Sequence, residues 1–495
     1  MKYSAEKLIE TSIKSSGSPW VNDEVLNKLV IKWKIPRDYF NETLQKSCIE
    51  KKVIRYRGYY TLAKYADMED KIAVNIGRIV YHNSCEYTSK EIDDAISQAQ
   101  KELKITLHSQ QSLSVRNSIM NSLSGITGGP GTGKTSTLLV FFRSLEILEP
   151  DREVLFAAPT GKASMRISEQ TGQYACTAHK MYKVAADKMS EEDKKELDNV
   201  TIIIDEFSMV DMELAVRIFS QTGIHSRIVF VGDINQLPSI GPGAVLRDLL
   251  RCKGINSVRL TKTFRQANDS ILFGNILKIA AGDYKLQIGD DFHFIAATKE
   301  NGEKKIMDEY LRYCQKYGTE QTVLLIPFRK SGNICSDKLN KNIQIHYQHC
   351  DADTAFCVND IVMQLENREE CVNGEVGRVL DVSSKGIIVK YTECIVEYEP
   401  DDYYQISLAY AMSIHKSQGS EYDAVIVAMF DEHECMLTRN ILFTGVTRAK
   451  KEVTIIGSQR AIKTAIMTDR SDDRKTFLTE KCEYVIETNA KLAYL

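Results

Sequence analysis

Apolar positions along this chain follow several spacings, and each predicts a different kind of element. Over residues 1–62 they recur in short runs at helical spacing, which predicts three short helices followed by a hairpin. The third helix, residues 36–48, opens on Pro36, whose fixed φ suits a first turn. The stretch KVIRYRGYYTL, residues 52–62, alternates around Arg57-Gly58 and reads as two strands and a turn. Three helices and a β wing suggest a winged-helix-like module. Its Arg55, Tyr56, Arg57, Tyr59 and Tyr60 suit either a nucleic-acid contact or a hairpin that packs its aromatics on the helices, and the second is the simpler expectation. Two more helices follow. One, residues 65–82, carries Ile72, Ile76, Ile79 and Val80 on one face. The other starts at Thr88, has Glu91 three residues on as a capping box, and turns Ile92, Ile96 and Leu103 inward.

From about residue 106 the pattern changes to unbroken apolar runs that end in polar residues. EVLFAAP (153–159), VTIIIDE (200–206) and RIVFVGD (227–233) form one set; TVLLIP (322–327), AVIVAM (424–429) and VTIIG (453–457) form another. Strands buried on both faces of a parallel sheet look like this, with function at their C-terminal ends. Between the sets, DIVMQLE, GEVGRVLDV, GIIVKYTE and CIVEYE are short strands separated by turns, one of them at Asn373-Gly374. They predict a small barrel of SH3 type inserted into the second parallel domain. The charged stretch 183–199 reads as a solvated face. The expected fold is therefore α/β. Its divisions are a winged-helix-like module (1–62), connecting helices (63–105), a first parallel-sheet domain (106–259), a second (260–353 and 403–470), the inserted SH3-like barrel (354–402) and a C-terminal tail (471–495).

Candidate chemistry sharpens this picture at GGPGTGKT, residues 128–135, which fits the P-loop pattern. Gly128, Gly129, Pro130, Gly131, Thr132 and Gly133 curl the backbone so that its N–H groups cradle phosphate. Lys134 reaches the β- and γ-phosphates, and Thr135, followed by Ser136, supplies a Mg²⁺ position. A short apolar strand, LSGIT, precedes the loop and a helix follows it, so the anion meets a helix N-terminus. Asp205 and Glu206 end a strand that is expected beside this loop. There Asp205 holds Mg²⁺ through water and Glu206 takes the proton of the attacking water. Gln236, in GDINQLPSIGPG (232–243), suits sensing of the γ-phosphate or placement of that water.

Composition adds boundaries. The 495 residues are 43% hydrophobic and 26% charged, with only nine prolines, as in globular chains of roughly three domains. A net charge of −3 is neutral about nucleic acid, so any binding would use a local basic groove. No run of about 18 apolar residues occurs, so no membrane span is expected. The opening MKYSAEKLIE reads as a polar amphipathic helix rather than a signal peptide. Twelve scattered cysteines without C-x-x-C read as reduced thiols of a cytoplasmic protein. His346, His349, Cys350 and Cys357 have a spacing that could hold zinc, but without a paired half-site a polar surface loop is the expected reading.

Seven motifs then occur in order: GGPGTGKT, AAPTGKA (157–163), DEFSMVD (205–211), GDINQLPSIGPG, TFRQ (263–266), AYAMSIHKSQGSEY (409–422) and FTGVTRA (443–449). Together they resemble the RecD-like DNA helicases of superfamily 1B, AAA-type ATPases, over residues 69–482. The N-terminal module is similar to what precedes the motor in the stand-alone RecD branch. The resemblance implies two RecA-like motor domains with ATP and Mg²⁺ between them. It places Gln111 at the adenine-reading glutamine, with Gln110 one residue off. Arg265 and Arg448 match the arginines that reach the γ-phosphate from the second domain, and Gly419 and Glu421 lie near the nucleotide sugar. Pro159, Thr160, Lys162, Thr177, His179, Arg329, His415 and Lys416 match segments that contact single-stranded DNA; His179 and His415 are alternatively structural, and His415 could couple the two sites.

Three departures stand out. Gly445 replaces a usual alanine, Phe207 stands where a small residue is common, and residues 186–199 look helical and acidic where relatives carry a strand-splitting pin. The implied activity is ATP-dependent 5′→3′ movement on single-stranded DNA, from a tailed duplex, by a monomeric motor in recombination, repair or replication. The alternative is a DNA-stimulated ATPase subunit or loader that needs a nuclease or replication partner, met through the N-terminal module.

Overall fold

The computed structural model describes residues 4–82, 85–182, 196–264, 270–347, 349–351, 353–368 and 370–493. Two parallel sheets form its centre. The first has six strands: β4 (Leu123–Gly128), β5 (Val154–Ala158), β6 (Ala175–Thr177), β7 (Thr201–Ile204), β8 (Arg227–Gly232) and β9 (Asn256–Leu260). They lie in the order β6-β5-β7-β8-β4-β9, with every pair parallel. The second has β10 (Phe292–Ala296), β11 (Thr322–Ile326), β17 (Ala411–Ser413), β18 (Tyr422–Met429) and β19 (Ala449–Gly457), in the order β10-β19-β18-β11-β17, again all parallel. Helices cover these sheets, which is why β4, β7, β8 and β11 are buried at every position. Removing Ile202, Ile203 and Ile204 from water is worth about 1.5–3 kcal/mol per side chain.

A five-stranded antiparallel sheet interrupts the second parallel domain. It is built from β12 (Ile361–Gln364), β13 (Val376–Ser383), β14 (Gly386–Lys390), β15 (Ile395–Tyr398) and β16 (Ile406–Leu408), ordered β15-β14-β13-β12-β16. The fifth strand lies past the expected boundary at 402, because Val362 pairs with Leu408 and extends the sheet by one strand.

The N-terminal region has helices Ala5–Ser16, Asp23–Lys32 and Arg37–Ile49 and a three-stranded sheet of β1 (Val21–Asn22), β2 (Val53–Tyr56) and β3 (Tyr59–Leu62), ordered β1-β3-β2. Local signals set its ends. Ser4 caps the first helix by accepting from Lys7 N, and Gly17 closes it in a left-handed conformation. The later helix Ser89–Leu103 opens on the Thr88–Glu91 capping box.

The hairpin aromatics find a partner that local sequence does not reveal. Tyr56 and Tyr59 lie 4.8 and 5.9 Å from the Phe477 ring, which also meets Trp20 at 5.0 Å. The stretch expected as a tail contains the helix Leu478–Ala493, packed on the helix Ala63–Tyr81. Buried Glu69 ties the two by accepting from Phe477 N at 3.1 Å and pairing with Lys481 at 3.1 Å.

The cysteines need one correction. Cys350 and Cys357 are joined as a disulfide, so not all twelve are reduced thiols, and two of the four possible zinc ligands are bonded to each other. Among the described residues no cluster of His, Cys, Asp and Glu could hold a metal, and no helix is long and apolar enough to cross a membrane.

Candidate functional site

The site is built where the C-terminal ends of the first sheet face the second. β4 delivers the backbone into Gly129–Gly133, where Gly131 and Gly133 take φ of +73° and +78°, and the helix Lys134–Leu148 begins at once. Gly133 is also held by close approach: a Cβ there would fall 2.3 Å from Gln111 Nε2. Lys134 Nζ donates to the carbonyls of Gly128 (2.6 Å) and Gly129 (3.2 Å), so the ammonium lies over the loop it opens. Thr132 Oγ donates back to Gly129 O, and Thr135 Oγ donates to Gln170 on the next helix at 3.3 Å. Pro130 and Ser136 flank this turn in the loop and first helical turn.

Gln111 lies behind the loop, buried, in the helix Ser109–Met120. Its Oε1 accepts from His108 N at 2.8 Å, while Nε2 donates to the carbonyls of Thr132 and Gly133. The amide therefore anchors the phosphate loop. Gln110 instead accepts from Thr261 N and Oγ.

Next to β4 runs β8, then β7, and each is followed at once by a carboxylate. Burial, followed by the neighbouring Glu206, pushes the Asp205 carboxyl up to about 6, against the pull of Lys134 and Arg166. Asp205 Oδ1 accepts from Glu206 N at 2.7 Å. Glu206 itself has φ of +50°, in the left-handed region. Phe207 is fully buried beside Phe230, ring centres 5.2 Å apart, which is why a large residue fits after the acidic pair.

Gln236 belongs to a loop shared by the two sheets. Its Oε1 accepts from Arg448 Nη2 at 3.2 Å. Asn440, on the helix Arg439–Val446, donates to the carbonyls of Asn235 and Gln236, both at 3.0 Å. Leu237 N donates to Thr444 Oγ at 3.0 Å, and Leu237 O accepts from Gln418 Nε2. Arg448 is buried; its Nε donates to Thr444 O and its Nη1 to Ser420 O. Burial lowers its pKa, while Glu206, Glu421 and Asp233 hold it charged. A Cβ at Gly445 would lie 3.4 Å from Val427, an ordinary contact, so the family's alanine would also fit. Glu421 pairs with Arg166 at 2.8 Å, and Gly419, with φ of +76°, faces Ala163. Arg265 lies outside the described residues, as do residues 186–195 of the stretch that stands where relatives carry a pin.

The remaining candidates line the same edges on the other half of each sheet. Pro159 and Thr160 follow β5, and Thr177 ends β6; the register pairs Ala158 with Thr177. Thr160 caps the helix Gly161–Thr171, and Thr177 caps Ala178–Met181, which carries exposed His179. Arg329 follows β11, and His415 and Lys416 follow β17, whose Ser413 pairs with Ile326. Burial depresses the pKa of His415 and of Lys416, and the Arg329 charge lowers Lys416 further. Arg329 Nε donates to Asp337 at 3.4 Å. Lys162 reaches the Tyr422 hydroxyl at 3.5 Å across a cleft of about 770 Å³, which Arg378 and Lys390 of the antiparallel sheet also line.

Sequence reasoning passed over three groups. Asp233 follows β8 as Asp205 follows β7; it is almost wholly buried, accepts from Asn235 N, and leaves Oδ2 without a hydrogen-bond partner. Its strand-end position was the available signal. Arg166 and Asn440 carried none, being a lone basic and a lone amide residue in helices. Ser208 Oγ and Ser420 Oγ are likewise buried without partners. Hard oxygen donors, few in number and beside a phosphate loop, suit a Mg²⁺ that takes its remaining ligands from nucleotide and water. Thr135 and Asp205 would hold it.

Comparison with known proteins agrees with this layout. Residues 111–242 match the AAA domain family, and residues 408–456 match the UvrD-like helicase C-terminal domain. The ATP-dependent RecD2 DNA helicase of Deinococcus radiodurans is 27% identical over 376 residues, 74% of this chain and 51% of that protein. The chain thus spans about half the length of that relative. The RecBCD enzyme subunit RecD of Mycolicibacterium smegmatis is 26% identical over 422 residues, 75% of this chain and 74% of that protein. A Bacteroides Pif1 helicase, solved with ADP-AlF3 and single-stranded DNA, aligns over 78% of this chain and 98% of its own, at 18% identity and a TM-score of 0.44. The chain is thus similar to RecD and RecD2 helicases, and each of its two parallel sheets holds a segment matched by a family model, the AAA domain in the first and the UvrD-like helicase C-terminal domain in the second.

Proposed function

We propose that this RecD-like chain is an ATP-driven motor that moves 5′→3′ along single-stranded DNA. The observation that carries the reading is the Gln236 loop, which belongs to the first sheet and is hydrogen-bonded by Arg448, Asn440 and Thr444 of the second. A γ-phosphate at the phosphate loop would therefore be felt by both halves. Lys134 exchanges the Gly128 and Gly129 carbonyls for phosphate oxygens. Glu206 takes a proton from water as its oxygen attacks the γ-phosphorus and the bond to the bridging oxygen of ADP breaks. Arg448, with Arg265, neutralises charge on the transferring group, and Gln236 orients the water. Mg²⁺, when bound, neutralises phosphate charge. Gln111 is read as the adenine contact, and Gly419 and Glu421 as neighbours of the sugar.

DNA is placed across the strand ends that carry Pro159, Thr160, Lys162, Thr177 and His179 on one sheet and Arg329, His415 and Lys416 on the other. Polar groups at strand ends contact phosphates without reading bases. Opening and closing between the sheets would alternate the grip of the two sets. The N-terminal region is read as a winged-helix module and the antiparallel sheet as an SH3-like barrel. The polarity comes from the resemblance to superfamily 1B.

A second reading, a DNA-stimulated ATPase subunit or loader that needs a partner, is favoured by one observation. Relatives matched over most of their length, such as that of M. smegmatis, are RecBCD subunits. Duplex displacement from 5′-tailed and 3′-tailed substrates, beside single-strand-stimulated ATPase, separates the two. Displacement from the 5′ tail alone supports the motor; stimulated ATPase without displacement selects the subunit. Normal turnover by Lys134→Ala would sink the nucleotide site itself.

A further inference from the structure

The Gln236 loop has a far end, residues 238–243, that no assigned nucleotide contact explains. Arg474, from beyond both matched families, grips it there. Its Nη1 donates to Ser239 Oγ (3.1 Å), Gly241 O (3.1 Å) and Gly243 O (2.8 Å), and its Nη2 donates to Ser239 O (2.7 Å). A guanidinium is suited to this, with five donors in one rigid plane. The loop's opposite side rests on the segment that follows the acidic pair. A Cβ at Gly241 would fall 2.0 Å from Asp211 Oδ2, and one at Gly243, which has φ of +113°, would fall 2.6 Å from Met212 Cγ. Met212 N donates to Pro242 O at 3.1 Å. The glycines of SIGPG are therefore demanded by close packing against Asp211 and Met212. A third contact comes from the N-terminal region: Gly243 N donates to Gly17 O at 2.9 Å, and Gly17 has no room for a side chain beside the Arg474 guanidinium.

We propose that Arg474 is a positioning residue for ATP hydrolysis. It fixes the far end of this loop so that, at the near end, the Gln236 amide stays in register with Arg448 and the catalytic carboxylates. The proposal rests on the motor reading above. Arg474 touches neither nucleotide nor DNA in that reading; it acts through the loop. Four hydrogen bonds to residues 239–243, three of them to main-chain carbonyls, restrain backbone rather than fill a surface. Losing them lets Gln236 drift, and misplacement of about 1 Å near a reacting phosphate costs up to about a hundredfold in rate.

The test measures ATP turnover of full-length wild type, Arg474→Met and Arg474→Lys, with rates expressed per nucleotide site titrated by a fluorescent ADP analogue. Methionine keeps the length and removes every donor; lysine keeps the charge and some of the donors. Expected is a kcat for Arg474→Met lowered roughly tenfold to a hundredfold, with KM for ATP and oligonucleotide affinity within about twofold, and a kcat for Arg474→Lys between the two. Partial unfolding would lower the titrated sites and leave the per-site rate alone. A per-site kcat for Arg474→Met equal to wild type overturns the proposal, as does a loss that moves KM equally and that lysine does not relieve. If the methionine chain binds no nucleotide, the lysine chain decides: a lowered kcat at unchanged KM supports the role, and wild-type kcat overturns it. A wild type that hydrolyses no ATP overturns the motor reading along with the proposal. Hydrolysis by wild type with an unaltered methionine variant overturns the proposal alone.

Discussion

Glu206 holds a left-handed backbone at φ of +50°, which costs a residue with a Cβ about 1–2 kcal/mol. Such a conformation persists where its surroundings over-determine it, and here Phe207 is locked in the core on one side and Asp205 Oδ1 accepts the Glu206 N–H on the other. The price of the site extends to Asp205. Its native carboxyl is pushed up to about 6 from 3.8, so the folded chain binds its proton more tightly than the unfolded one. The stability this provides is full below about 3.8 and is lost as pH rises through about 6; above that, the buried charge is a net cost. Asp205→Asn is therefore expected to raise the melting temperature of the metal-free protein by a few degrees at pH 8, with the gain fading toward pH 4. Thermal melts in chelator across that range check it, and a variant that melts below wild type at pH 8 contradicts the placement. These carboxylates were legible because an unbroken apolar strand ended on them. Asp233 had the same signature and was passed over in favour of the nearby glutamine.

At the scale of elements, strands announced themselves wherever burial on both faces left no polar position, as in VTIIIDE and RIVFVGD. Capping chemistry did the same for the helix after Thr88. The C-terminal helix was not legible, since its apolar residues answer to the helix Ala63–Tyr81 and to Trp20, far away in sequence. Phe477 at its start is buried among Trp20, Tyr56 and Tyr59. Phe477→Ala should cost about 3–5 kcal/mol. Urea denaturation would read that loss, and hydrogen exchange should show it as lost protection in residues 18–62 while the strands of the two parallel sheets keep theirs. Uniform loss across the chain would mean the N-terminal region is not a separable unit.

Across the whole molecule, the two parallel sheets meet through polar contacts at the Gln236 loop, two of whose carbonyls Asn440 holds at 3.0 Å each. Asn440→Ala should leave each sheet folded and lower the stimulation of ATPase by single-stranded DNA roughly tenfold, the size of an ordinary coupling between sites. Turnover with and without oligonucleotide measures it; unchanged stimulation would place the coupling elsewhere. Gln236 and Arg448 were legible in this interface through their motifs, but Asn440 was not, because it lies ahead of FTGVTRA in an apolar helix.

Close to the Phe477 cluster, Ser18 is joined to Lys475, a residue made much later in synthesis. Lys475 N donates to Ser18 Oγ at 2.9 Å across 457 positions. A ribosome making about 5–20 residues per second therefore needs roughly 20–90 s between the two. Throughout that interval Trp20 and the hairpin tyrosines wait uncovered. The loop that ends at Gly243 likewise has its Asp211 floor but neither its Arg474 grip nor its second-sheet contacts. A nascent chain thus completes the phosphate loop long before residue 475, and with it the grip on the far end of the Gln236 loop, has been made.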